Sequence, residues 1–216
     1  MKFGCFGCFF LTVVVLIGLV LGAGALFVSR NISESPEVRP VSFSRADGFA
    51  AQQKLYEIAL RQAGRSNRRD PISLSEREVT AFLSRHLDKT SRVPLSDLTV
   101  RFDSDQFVAQ GQAPLRSLIQ GGLFSYVLPY IPDRRLDQPV WVSVRGTISI
   151  ETPALETRQY AKVSVSRFTL GRQPVNAFLV YVLMGPSGSG LFEWPVPDIV
   201  QSIQIQRGQA VIRTRS

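Results

Sequence analysis

Cysteine and histidine are almost absent from this chain. Among 216 residues only Cys5 and Cys8 are cysteines, and only His86 is a histidine. Both thiols fall within the first ten residues, so the remainder can hold neither a disulfide framework nor a thiolate metal site. One imidazole, with no cluster of His, Asp and Glu at ligand spacing, leaves metal-assisted and triad-type hydrolysis short of parts. Charge is also sparse, at 19% of residues against 44% apolar ones, and the 13 prolines and 16 glycines are scattered. That balance excludes a disordered, collagen-like or low-complexity chain. A folded protein of one domain with an appendage remains.

The stretch Gly185-Pro186-Ser187-Gly188-Ser189-Gly190 holds three of the glycines. A nucleophile elbow needs glycine two residues after its serine, where Ser189 follows Ser187 instead. A phosphate loop needs a Lys-Ser/Thr ending and a helix behind it, and neither is present. A polar linker accounts for the segment. No enzymatic activity and no cofactor are expected, and Glu76 and Glu78 are read as acids favouring a helix N-terminus.

The one long uncharged run is Phe3 to Val28, 26 residues with Thr12 as its only hydroxyl. As a helix it reaches roughly 39 Å, more than the ~30 Å of a bilayer core. Lys2 precedes it, and Arg30, Glu34, Glu37 and Arg39 follow. This charge placement puts the N-terminus in the cytoplasm and the bulk of the chain outside the cytoplasmic membrane. Ala23-Gly24-Ala25 also fits a signal-peptidase site, so a cleaved leader is the competing reading, although the run exceeds the ~7–15 residues of a signal h-region. Export follows in both cases. Cys5 and Cys8 precede the apolar run, unlike a lipoprotein cysteine, and read as small apolar residues of a membrane helix.

Beyond residue 30 the chain carries 23 basic and 17 acidic residues, a net of +6. Arg65, Arg68, Arg69 and the pair Arg134, Arg135 are either ordinary solvated surface or contacts to anionic headgroups. Nothing resembles a basic-aromatic nucleic-acid motif, so no nucleic acid partner is expected. Residues 31–46, with Pro36 and Pro40, read as a stalk; the sequon Asn31-Ile32-Ser33 lies almost on the bilayer. The domain proper is 47–216.

Within it, Ala51, Leu55, Ile58 and Ala59 keep helical spacing, with Asp47 as the cap and Gly64 as the stop. A second helix is signalled by the capping box Ser75 to Glu78, the staple Leu74 with Val79, and the stripe Val79, Phe82, Leu83, Leu87. His86 falls beside that stripe and reads as a partly buried histidine at the core edge. After Pro94 the period becomes two: Leu98, Val100, Phe102, a turn at Asp103-Ser104-Asp105, then Phe107, Ala109, Gly111. Val140, Val142, Val144, Gly146, Ile148 and Ile150 hold every even position of a strand of roughly 40 Å. Its partner carries Ala161, Val163 and Val165 until the parity changes to Phe168 and Leu170, which implies a bulge around Ser166-Arg167 and a sheet that curls. Gly171 to Pro174 should end that strand and start a third helix with Val175, Phe178, Leu179 and Val182. Trp194-Pro195-Val196-Pro197 then leads to a closing hairpin of Ile203, Ile205, an Arg207-Gly208 turn and Val211.

Taken together, Leu74-Ser75-Glu76-Arg77-Glu78-Val79 with Phe82-Leu83, the hairpin Leu98 to Gly111, the run Arg167 to Val175 and the ending Trp194 to Thr214 give an order of elements that resembles the tubular lipid-binding (TULIP-like) superfamily, including small bacterial proteins with one membrane anchor. The resemblance implies an α+β fold in which a long, curved antiparallel sheet wraps around helices and leaves an apolar channel for an acyl chain. No polar site motif is required for that, because affinity would grow with buried methylenes. The lipid-contacting candidates are Phe82, Leu123, Phe124, Val127, Val142, Val144, Ile148, Val163 and Phe178. The crowded apolar segment Leu118 to Ile131 is either core or a lipid-touching lid. A scaffold that binds a protein of an envelope complex through the same segment is the alternative function.

Overall fold

The computed structural model describes residues 40–90, 95–119, 133–152, 158–176 and 193–215. The apolar run at 3–28, the stalk up to residue 39, the turn at 153–157 and the glycine loop at 185–190 lie outside them. No helix among the described residues is long and apolar enough to cross a membrane. The architecture is α+β, with a large antiparallel sheet, a small one and few helices.

Helix α1, Arg45–Gln62, starts one turn earlier than the spacing suggests. Ser44 is the N-cap; its hydroxyl accepts the Asp47 N–H, while the Asp47 carboxylate accepts the Ser44 N–H at 2.7 Å. Asp47 is therefore the third-position acid of a capping box, not the cap, because the short Ser44 side chain holds the extended backbone a cap needs. Gly64, at φ +66, ends the helix as expected. Ala51 and Ile58 are buried, whereas Ala59 faces out.

Strand β1, Ile72–Ser75, runs directly into helix α2, Glu76–Thr90. The capping box is present, with the Ser75 N–H donating to Glu78 Oε2 at 2.8 Å and the Glu78 N–H donating to Ser75 Oγ at 3.3 Å. His86 is exposed rather than partly buried: its ring stacks on Phe82 with centroids 4.1 Å apart, and Nδ1 bonds the Phe82 carbonyl. This i, i+4 stacking holds the imidazole on the helix surface, so it never reaches the core.

The large sheet contains β2 (Ser96–Asp103), β3 (Gln106–Pro114), β4 (Pro139–Glu151), β5 (Gln159–Leu170) and β6 (Gln173–Val175), in that spatial order, with β7 (Glu193–Val196) on the other end of the β5 edge. Leu98, Val100 and Phe102 are all buried, and Phe102 pairs with Phe107 as the hairpin reading requires. On β4 the even positions Val140, Val142 and Gly146 are buried. The parity change on β5 is a bulge. Arg145 pairs with Arg167 and Gly146 with Val165, which leaves Ser166 as the extra residue. Its hydroxyl donates to the Arg145 carbonyl at 3.2 Å. Gly146 is required there, since a Cβ would stand 2.5 Å from the Ser164 carbonyl oxygen.

The structure gives a strand where the third helix should begin. Gly171, at φ +58, turns the chain so that Gln173–Val175 folds back on Phe168–Leu170 as β6. A tight turn and a helix start both accept the Gly-x-x-Pro spacing, and the pairing edge of β5 decides for the strand. Phe178, Leu179 and Val182 lie outside the described residues.

The small sheet joins β1 to β9 (Gln209–Thr214) and β9 to β8 (Val200–Gln206), all antiparallel. It packs with α1 around Ala51, Ile58, Ile72, Leu74, Val200 and Ile212. A second cluster, Val100, Phe102, Ile205 and Ala210 with Val79, Leu83 and Ile148, joins α2 and both sheets. A third occupies the far half of the large sheet, with Ala113, Val142, Phe168 and Leu170 at its centre.

Candidate functional site

Strand β2 is an edge of the large sheet, so its outward N–H and C=O groups need partners. Helix α2 supplies them. Thr80 Oγ1 accepts the Val100 N–H at 3.0 Å and donates to the Val100 carbonyl, while Glu76 Oε1 accepts the Phe102 N–H at 2.7 Å. Thr80 and Glu76 are one turn apart on the helix, and Val100 and Phe102 are two residues apart on the strand, so the two periods match. The Phe102 carbonyl in turn accepts the Gly208 N–H of the β8–β9 turn at 3.1 Å.

One turn further along α2 the match fails. The register of β2 shifts between Ser96 and Thr99, and Asp97 sits at φ 50, so the strand bulges just where Ser84 would meet it. Ser84 Oγ is consequently shut off from solvent without a hydrogen-bond partner among the described residues. Leaving such a hydroxyl unpaired costs about 1–3 kcal/mol.

Between the bulge and the helix an open groove encloses about 760 Å³. Pro40, Val41, Phe43, Leu95, Leu98, Pro114 and Trp141 form its apolar walls, and Ser84, Ser96, Asp97 and Thr99 supply the polar atoms. That volume lies within the ~300–1,000 Å³ of small-molecule sites, and an apolar lining with a few polar groups is the usual composition. Leu95 also packs on the cluster of Ala113, Val142, Phe168 and Leu170, around which Leu118, Val144, Val165 and Val175 are only partly buried. Leu95 thus stands between the groove and that cluster, none of whose residues lines the groove.

The sequence candidates divide between places. Phe82 packs on the α1 cluster and Ile148 on the cluster that joins the two sheets. Val142 is buried, and Val144 half-buried, in the cluster that Leu95 reaches. Val163 is half-buried on β5. Leu123, Phe124, Val127 and Phe178 lie outside the described residues. No group of His, Cys, Asp and Glu able to hold a metal occurs among the described residues.

The ionic groups near α2 are structural. Glu78 is 8% exposed, and its Oε1 meets Lys54 Nζ at 2.7 Å, while Lys54 also donates to the Ser73 carbonyl at 2.7 Å. Burial pushes the Glu78 carboxyl up, but bonds from Lys54 and Ser75 outweigh it and hold the group below the ordinary carboxylate range. Arg61 is buried on α1 and donates to the Asp70 carbonyl at 2.8 Å and to Thr214 Oγ1 at 3.0 Å, which fastens the helix to β9.

Thr80, Ser84 and the groove as a site are absent from the sequence reading. The groove draws on five separated stretches of chain, of which the strand period marked Leu98, while Trp141 is a large apolar residue at an odd position of β4. Compared with protein-family models and with curated proteins, the chain matches none, so the geometry of the groove carries the functional argument.

Proposed function

We propose that this chain is a single-pass protein of the cytoplasmic membrane, of TULIP-like build, whose extracytoplasmic domain binds or transfers lipid-like apolar molecules in the groove beside β2. In this reading the bulges at Asp97 and Ser166 curve the large sheet, and the anchor is the uncharged run 3–28.

The observation that supports this reading is the groove itself: apolar walls, three hydroxyl-bearing residues and one carboxylate, and no basic residue among the described residues of the lining. An acyl chain suits such a lining because each buried methylene contributes about 0.8 kcal/mol. Ten of them supply about 8 kcal/mol, a micromolar affinity before the cost of association is subtracted. Directional chemistry is not demanded of any side chain.

Native mass spectrometry of the full chain released from detergent tests the proposal. Retained lipid-sized adducts, lost in Ser96→Trp at the groove wall, are the expected result. A bare mass for the natural chain, with an envelope protein captured by crosslinking, would leave a tethered scaffold instead.

A further inference from the structure

Helix α1 turns Ala51, Leu55 and Ile58 toward the core, and its opposite side carries Arg45, Phe49, Gln52, Tyr56 and Ala59. Phe49 is 52% and Tyr56 62% exposed, far more than large aromatic side chains in a packed domain need to be. Neither carboxylate of α1 falls on that stripe; Asp47 bonds Ser44 and Glu57 bonds Ser66 and Arg61. The guanidinium of Arg85 reaches across from α2 and lies 5.1 Å from the Phe49 ring centroid. Phe43, 46% exposed, extends the aromatic row to the groove wall.

We infer that this aromatic, carboxylate-free face of α1 rests on an anionic bilayer and holds the groove mouth at headgroup level. Aromatic rings with guanidinium groups beside them are the composition of helices that lie in the membrane interface. Each cation near an anionic surface adds about 1 kcal/mol within a Debye length. The position fits as well, an argument that rests on the anchor proposed above. Fourteen residues separate Val28 from Phe43, and the fully extended link spans at most about 54 Å. With Phe43 and Phe49 at the interface, a lipid passes between bilayer and groove without crossing open water.

The test uses the full chain with Cys5 and Cys8 changed to serine, reconstituted in phosphatidylcholine vesicles with and without phosphatidylglycerol. An environment-sensitive fluorophore is placed by Phe49→Cys, Tyr56→Cys or, on the exposed part of β5, Ser164→Cys. The labels at 49 and 56 should shift to the blue and be quenched by spin-labelled lipid when phosphatidylglycerol is present, with the Ser164→Cys label unchanged. Adding Arg45→Glu and Arg85→Glu should remove most of that quenching. Labels at 49 and 56 that match the one at 164 and stay open to aqueous iodide overturn the inference, as does a blue shift without vesicles, which assigns the face to a second copy. Alkaline extraction tests the anchor separately. If the chain comes off the membrane, the anchor reading fails, while the same labels still report docking on added vesicles.

Discussion

The Thr80 hydroxyl, on a helix, accepts the Val100 N–H at 3.0 Å, in the place where a neighbouring strand would otherwise stand. With Glu76 on Phe102 it turns an exposed sheet edge into a helix–strand junction made by side chains.

Because Val100 is 3% exposed, its amide finds no water if the hydroxyl is removed. Thr80→Val keeps the shape and should cost about 1–3 kcal/mol, read as a lower urea midpoint, whereas Thr80→Ser should recover most of it. Equal stabilities of the natural chain and Thr80→Val would show that the edge does not depend on this bond.

Gly146→Ala puts a methyl 2.5 Å from a backbone oxygen at the bulge, where no flexible side chain can yield. A loss of about 1–3 kcal/mol is expected. Ser166→Ala, which gives up only the 3.2 Å bond to Arg145, should lose about 1 kcal/mol. Thermal melts of the two variants separate the steric from the hydrogen-bonding contribution.

Strand periodicity was legible because it depends on local alternation alone: Leu98, Val100 and Phe102 announce their face, and the step from Val165 to Phe168 announces the bulge. What escaped is non-local. A threonine in a helix interior has no signature that says a strand edge twenty residues later will need its hydroxyl. Asp97 adopts positive φ without being glycine, so the bulge that opens the groove left no mark. Pro174 and Val175 fit either a helix start or a returning strand, and only the free edge of β5 distinguishes them.

Glu78 titrates lower folded than unfolded, so its ion pair stabilises the domain above the unfolded carboxyl value of about 4.3 and is lost as pH falls through the folded one. Asp47, held down by its bonds to Ser44, and Glu57, held down by Ser66, act in the same direction. Stability should be flat from neutral pH down to about 5 and then decline. In Glu78→Gln the decline should be shallower, from a lower starting point, as followed by urea midpoints across the acid range.

Ser84→Ala removes a shut-off hydroxyl that has no partner among the described residues. Stability should stay equal or rise by up to about 1 kcal/mol, and affinity for a fluorescent fatty acid should be unchanged, because a ligand in the groove does not reach that hydroxyl. A clear loss of stability would place Ser84 in the fold instead.

Val142 and Val163 have different surroundings although both point to the same side of the sheet by parity. Val142, 8% exposed inside a packed cluster, should not tolerate Val142→Asp, and circular dichroism should show an unfolded chain. Val163, half-buried, should accept aspartate with a cooperative melt. If Val163→Asp unfolds the chain too, the middle of β5 is as tightly enclosed as its end.

The pairing of β1 with β9 sets the timetable of synthesis. Ser75 meets Gln209 in that register, 134 residues further on. At about 5–20 residues per second a ribosome takes roughly 7–27 s to cover that distance. Throughout that interval Ile72 and Leu74 have no strand to join, and the small sheet can close only after residues 209–214 have emerged. The nascent chain therefore stays open at its first strand until residues 209–214 are made, a state in which it can still be threaded or held by a chaperone.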